Sequence, residues 1–217
     1  MHNWKTPLVA LGGAAALLSL GTLHAQDGPS QLPGQMDTSR VQAGTYALDS
    51  GHTLVGWRLN HFGFNDYFGL FGNIEGNLTI DPANPQAASL EVTIPIAEVT
   101  TASEGLTDHL LRPGAEGADP DFFGANPEPA RFVSTSVEVT GETTANIMGD
   151  LTMNGMTHPV TIAAEFVGAG ANPMSQTETI GFEGTTTINR SQWGLNSFAP
   201  MVGDEVELTL TAAFEKQ

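Results

Sequence analysis

Along much of the chain, apolar and polar residues trade places at every step. Ile147, Leu151 and Met153 recur at every second position with Gly149 between them, while Asp150 and Thr152 fall on the other face. Val160, Ile162, Ala164 and Phe166 repeat the pattern against Thr161 and Glu165. A period of two marks half-buried strands. Between the two runs stands Asn154-Gly155, the dipeptide best able to take positive φ, and the interruption up to Pro159 predicts a hairpin with more than two residues in its loop. A single hairpin cannot bury its apolar face, so the pattern requires further strands.

The remaining sequence supplies them. From Thr45 onward, Val55, Trp57 and Leu59 face one way and Arg58 and Asn60 the other. After a break at 63–66, a long strand over 67–81 carries Gly69, Gly72 and Gly76, and glycines inside a strand permit the bends and bulges of a closing sheet. The turn Asp81-Pro82-Ala83-Asn84-Pro85 precedes a third strand with Leu90, Val92, Ile94 and Ile96 on one face. Further strands are predicted over 130–140, 144–153, 159–168, 179–188 and 205–215. In the last, Val206, Leu208, Leu210, Ala212 and Phe214 alternate with Glu207, Thr209, Thr211 and Glu215. Eight alternating strands joined by short turns define an all-β antiparallel barrel or sandwich. The long glycine-bearing strands and scarcity of helix favour an up-and-down barrel, which has no free edge. Its inward positions are apolar, and eight strands suit either a side-chain-filled interior or one small ligand. Segment 102–129 breaks the pattern, with a short helix over 107–112, a loop over 114–120 and Phe122-Phe123 ahead of Pro127 and Pro129. Loops of this length in a compact domain are usually functional or mobile.

The N-terminus changes the compartment. Lys5, an apolar run over 8–23 and Leu23-His24-Ala25 read as a secretory signal peptide, 1–25, cut after Ala25. A membrane anchor fits less well, because the run is Gly/Ala-rich and no basic stop-transfer segment follows. Residues 26–44, with Gly28, Pro29, Pro33 and Gly34 and no periodicity, read as a flexible linker before one domain over 45–217. Without Lys5, six basic residues face 24 acidic ones, a net charge near −18. Such a surface repels phosphate backbones and anionic headgroups, which argues against nucleic-acid binding and peripheral membrane docking. The chain has no cysteine, so disulfides, thiol catalysis and a lipidated N-terminal cysteine are excluded. His52, His61, His109 and His158 lack the short spacing of a metal site, and no metal is expected. There is no Gly-x-Ser-x-Gly elbow and no paired-carboxylate motif, so no catalytic residue is assigned.

The order of motifs resembles the YceI family. The resemblance is carried by Tyr46-x-Leu-Asp49-x-x-His52-x-x-Val55, His61-Phe62-Gly63, Gly69-x-Phe71-x-x-Ile-x-Gly76, Asp108-His109-Leu110, Phe122-Phe123, Phe132-x-Ser134, Gly149-x-Leu151-Thr152-x-Asn154-Gly155-x-Thr157-x-Pro159-Val160, Arg190-x-x-Trp193-Gly194 and Val202-Gly203-Asp204-x-Val206. It implies a lipocalin-like barrel exported to the periplasm, with no cofactor and with a polyisoprenoid, such as an isoprenoid quinone, or a similar long-chain lipid as its ligand. Two departures stand out. Thr107 occupies the position before Asp-His-Leu where the family commonly has arginine, and an acidic insertion over 114–119 lengthens the next loop. If that arginine holds a headgroup, either Arg112 replaces it or the ligand is less anionic.

The candidate ligand-binding residues are therefore His61, Phe62, Phe71, Asp108, His109, Arg112, Phe122, Phe123, Phe132 and Trp193. His61 and His109 could form a polar cluster with Asp108 near the barrel mouth, or Asp108 and His109 could simply close one end. Phe122-Phe123 could act as a lid, although aromatic residues are more often core. His158, before Pro159, reads as an exposed turn residue. Three functions compete: a carrier of an isoprenoid lipid, an interaction or stress protein with a self-filled barrel, and an enzyme using Asp108 and His109 as acid and base. The oligomeric state, a homodimer included, is open.

Overall fold

A computed structural model describes residues 31–217, so the expected leader lies outside the described residues. The strands are β1 (Gly44–Leu48), β2 (Leu54–His61), β3 (Asn65–Phe71), β4 (Glu75–Ile80), β5 (Ser89–Ile94), β6 (Ala130–Val139), β7 (Thr144–Met153), β8 (Met156–Ala171), β9 (Glu178–Asn189) and β10 (Glu205–Lys216), with one helix, α1 (Glu104–Leu111), between β5 and β6. The ten segments make eight staves. β1 and β2 both pair with β10, Leu48 opposite Phe214 and Val55 opposite Leu210, and so form one stave interrupted at 49–53. β4 pairs with β1 and β3 with β2, giving a second composite stave broken around Asn73, whose φ is 52°. The other staves follow in order from β5 to β10, and β10 meets β1 to close an antiparallel up-and-down barrel.

Two local expectations are corrected. Asn154 and Gly155, at φ 50° and 73°, form a two-residue turn that pairs Met153 directly with Met156, so the hairpin has no longer loop. Pro159 fits inside β8 for a geometric reason. The turn-closing pair Met153/Met156 exchanges both hydrogen bonds, and alternation from there leaves the Asp150/Pro159 pair unbonded, so Pro159 owes β7 no N–H. The β8–β9 ladder begins only at Ala163 and Thr185, beyond it. His158 accordingly lies in the strand, half-buried, with its ring edge-on to Trp193 at 5.2 Å.

Segment 95–129 seals one end. Ser103 caps α1, its side chain accepting from the Leu106 N–H, and Leu110 is buried in the barrel. The free edge of β3 is covered by a two-way backbone bridge between Leu70 and Thr100. At the opposite end the described part of the expected linker is docked. Gln35 and Ala169 exchange both backbone hydrogen bonds, at 3.0 and 2.9 Å, and Arg40 donates to the carbonyls of Pro33 and Ala169. The apolar residues beneath divide into a larger cluster around Trp57, Phe132 and Trp193 near α1 and a smaller one around Tyr46, Phe166, Ile180 and Phe214 at the other end.

Candidate functional site

The alternation of the strands leaves a cavity of about 350 Å³ inside the barrel. Each wall residue follows from its register. Leu48 and Val55 come from the first stave, Leu78 and Ile80 from β4, Leu90, Val92 and Ile94 from β5, Ile147 and Leu151 from β7, Ile162, Ala164 and Phe166 from β8, and Leu208, Leu210, Ala212 and Phe214 from β10. The volume falls within the roughly 300–1,000 Å³ usual for small-molecule sites. The mouth lies between the β4–β5 turn, with Pro82, Pro85 and Ala88, the β6–β7 turn over 141–144, and Thr38 and Val41 of the docked N-terminal strap. Among the described residues, no lysine, arginine or histidine lines the cavity; of the ionisable residues along it, Glu142 stands in the β6–β7 turn, and Glu183 shares the outer face of the sheet with exposed Glu165.

The residues singled out in the sequence are distributed unevenly around this space. Phe132 lines the cavity. Phe71, Phe123 and Trp193 are absent from its lining and belong to the core cluster that includes Leu110 of α1. Phe71 and Phe123 meet edge to face at 6.1 Å, and the fully buried Trp193 donates from Nε1 to the Leu151 carbonyl at 3.1 Å. The remaining residues also lie outside the lining. Arg112 donates to Oδ2 of Asp121 at 2.9 Å and lies 2.8 Å from Nε2 of His109, which is itself 2.9 Å from the same carboxylate oxygen. The hydrogen bond from Arg112, and after it that from His109, holds the Asp121 carboxyl below the usual carboxylate range. Phe122 and Phe198 pack against the His109 ring. His61 sits against Phe62 and near Tyr67. Asp108 is exposed, and its side chain has no hydrogen bond among the described residues. The cluster therefore takes Asp121, not Asp108, as its acid, and it lies at the sealed end, away from the mouth.

The Arg190-x-x-Trp193-Gly194 motif also acts at the sealed end. The Arg190 side chain, 4% exposed, donates to the carbonyls of Leu195, Ser197, Val202 and Gly203, which fixes the loop before β10. Burial lowers the guanidinium pKa, opposed by the nearby Asp204 carboxylate. Among the described residues, no three His, Asp or Glu side chains are grouped to hold a metal ion, and no helix is long and apolar enough to cross a membrane.

A closed antiparallel barrel around an apolar cavity, open at one end and sealed by a helix at the other, defines a lipocalin-like protein. The YceI-like domain matches residues 46–214. A UPF0312 protein of Ectopseudomonas mendocina is 36% identical over 175 residues, covering 79% of this chain and 87% of that one. The chain belongs to the YceI-like family. Among solved structures it resembles BcnA of Burkholderia cenocepacia, with TM-score 0.63, 22% identity and coverage of 76% of this chain and 98% of that one. It also resembles a polyisoprenoid binding domain from Saccharophagus degradans implicated in plant cell wall breakdown, with TM-score 0.54, 12% identity and coverage of 79% and 98%. At these identities the structural likeness concerns the fold.

Proposed function

We propose that this protein is exported and holds a polyisoprenoid or similar long-chain amphiphile in its barrel, as a carrier or store without catalysis. The observation that carries this reading is the enclosed apolar cavity of about 350 Å³. A prenyl tail needs only dry walls, and each buried methylene-sized group contributes roughly 0.8 kcal/mol before the entropy of binding is subtracted. A structural neighbour described as a polyisoprenoid binding domain supports the ligand class. The signal-peptide pattern supports delivery to the periplasm. Against catalysis stands the separation of the His109–Arg112–Asp121 cluster from the cavity, at whose mouth Glu142 is the titratable lining residue. Against a self-filled barrel stands the cavity itself.

Blocking that space provides the test. Ala164 lines the cavity, opposite Gly184 on β9, and Ala164→Phe fills the void with no polar change. Delipidated wild-type protein is expected to take up geranylgeraniol with quenching of its tryptophan fluorescence. The variant is expected to lose at least about tenfold in affinity while its melting temperature is kept or raised, since the ring occupies space that is otherwise empty. Equal uptake by both proteins would place the ligand elsewhere and contradict the proposal.

A further inference from the structure

Resting on that reading of the cavity, we propose that its ligand carries an uncharged head, a hydroxyl or carbonyl, and that Glu142 at the rim discriminates against a phosphate or pyrophosphate. The cavity has a polarity along its length. Val55, Ile74, Phe132, Leu151 and Val160 form the deep wall, where a polar head would be desolvated without partners. The tail therefore occupies the deep end and the head stays at the mouth. There the lining includes Thr38 and Thr143, whose hydroxyls suit a neutral donor or acceptor.

An anionic head would meet the opposite of what it needs. Phosphate recognition draws on arginine, lysine or clustered backbone donors, yet no cationic side chain lines the cavity among the described residues. The cations at this end are engaged by neutral oxygens. Arg40 donates to the Pro33 and Ala169 carbonyls, and Lys216 donates to Oε1 of Gln42 at 2.7 Å. Arg112 is at the sealed end and is bound to Asp121. What the mouth does present is carboxylate. Glu142 is exposed in the β6–β7 turn, and Asp81 stands at the β4–β5 turn. Glu183 lies opposite exposed Glu165 on the outer face of the sheet, between inward Phe182 and Gly184, so its carboxylate takes no part at the mouth. The chain's net charge of −17 adds to the repulsion.

The experiment compares two probes with one tail, geranylgeraniol and geranylgeranyl monophosphate, titrated into the delipidated exported protein at low and high salt. At low salt the alcohol is expected to bind at least about tenfold more tightly, and the gap is expected to narrow at high salt as the carboxylates are screened. Glu142→Lys, an exposed change, is expected to reduce the alcohol-to-phosphate affinity ratio several-fold, with Glu142→Gln between the two. Phosphate binding as tight as that of the alcohol would overturn the head-group assignment and leave the cavity reading standing. An unchanged ratio in Glu142→Lys would remove Glu142 from it. Failure of both probes to bind would overturn the cavity reading itself.

Discussion

Arg190 shows how much of the architecture one side chain can set. Its guanidinium is out of water and donates to four carbonyls of the loop over 195–203, a loop that meets the sheet through a short bridge of Val202 to His61. Arg190→Met would keep much of the volume and leave those acceptors without partners. A loss of about 2–4 kcal/mol in unfolding free energy is expected, measured by denaturant titration, and a change under about 0.5 kcal/mol would contradict this role. Individual contacts were legible in the sequence where periodicity governs them. The inward faces of β5, β7, β8 and β10 are the residues whose spacing marks them, among them Val92, Ile147, Ile162 and Leu210. Asp121 was hidden because it lies in an irregular loop twelve residues after His109, and nothing in its spacing ties the two together. Asp108, the sequence neighbour, projects from α1 about 100° away from His109.

The elements follow the same division between local and tertiary causes. The staves, the Asn154-Gly155 turn and a short helix within 102–129 could all be read from pattern and turn chemistry. The interruptions of the first two staves at 49–53 and at Asn73 arise from barrel closure, which no local window contains. The length of β8 was hidden for a related reason. Gly168 and Gly170 resemble a strand end, yet they lie within β8 because the N-terminal strap crosses them. A Cβ on Gly170 would stand 2.1 Å from the Pro33 carbonyl oxygen, so only glycine admits the strap. Gly170→Val is expected to displace residues 33–41 and speed tryptic cleavage after Arg40 several-fold while the barrel remains folded by circular dichroism. Unchanged cleavage would show that the strap is held by other contacts.

The barrel is a tube with unlike ends. One is sealed by α1, the Phe71–Phe123 pair and the Arg112–Asp121–His109 cluster; the other is rimmed by two turns and the strap, acidic and hydroxyl-bearing. The sequence could show a greasy interior but could not decide between a filled barrel and an open one, because that balance depends on how eight walls curve together. The measurement that tests the central claim most directly is native mass spectrometry of the protein recovered from a bacterial periplasm, with organic extraction of whatever it holds. A stoichiometric adduct that extracts as a long-chain amphiphile, and is missing from Ala164→Phe, is the expected result. A bare protein mass for wild type, with no uptake of added polyprenyl alcohol, would contradict the account.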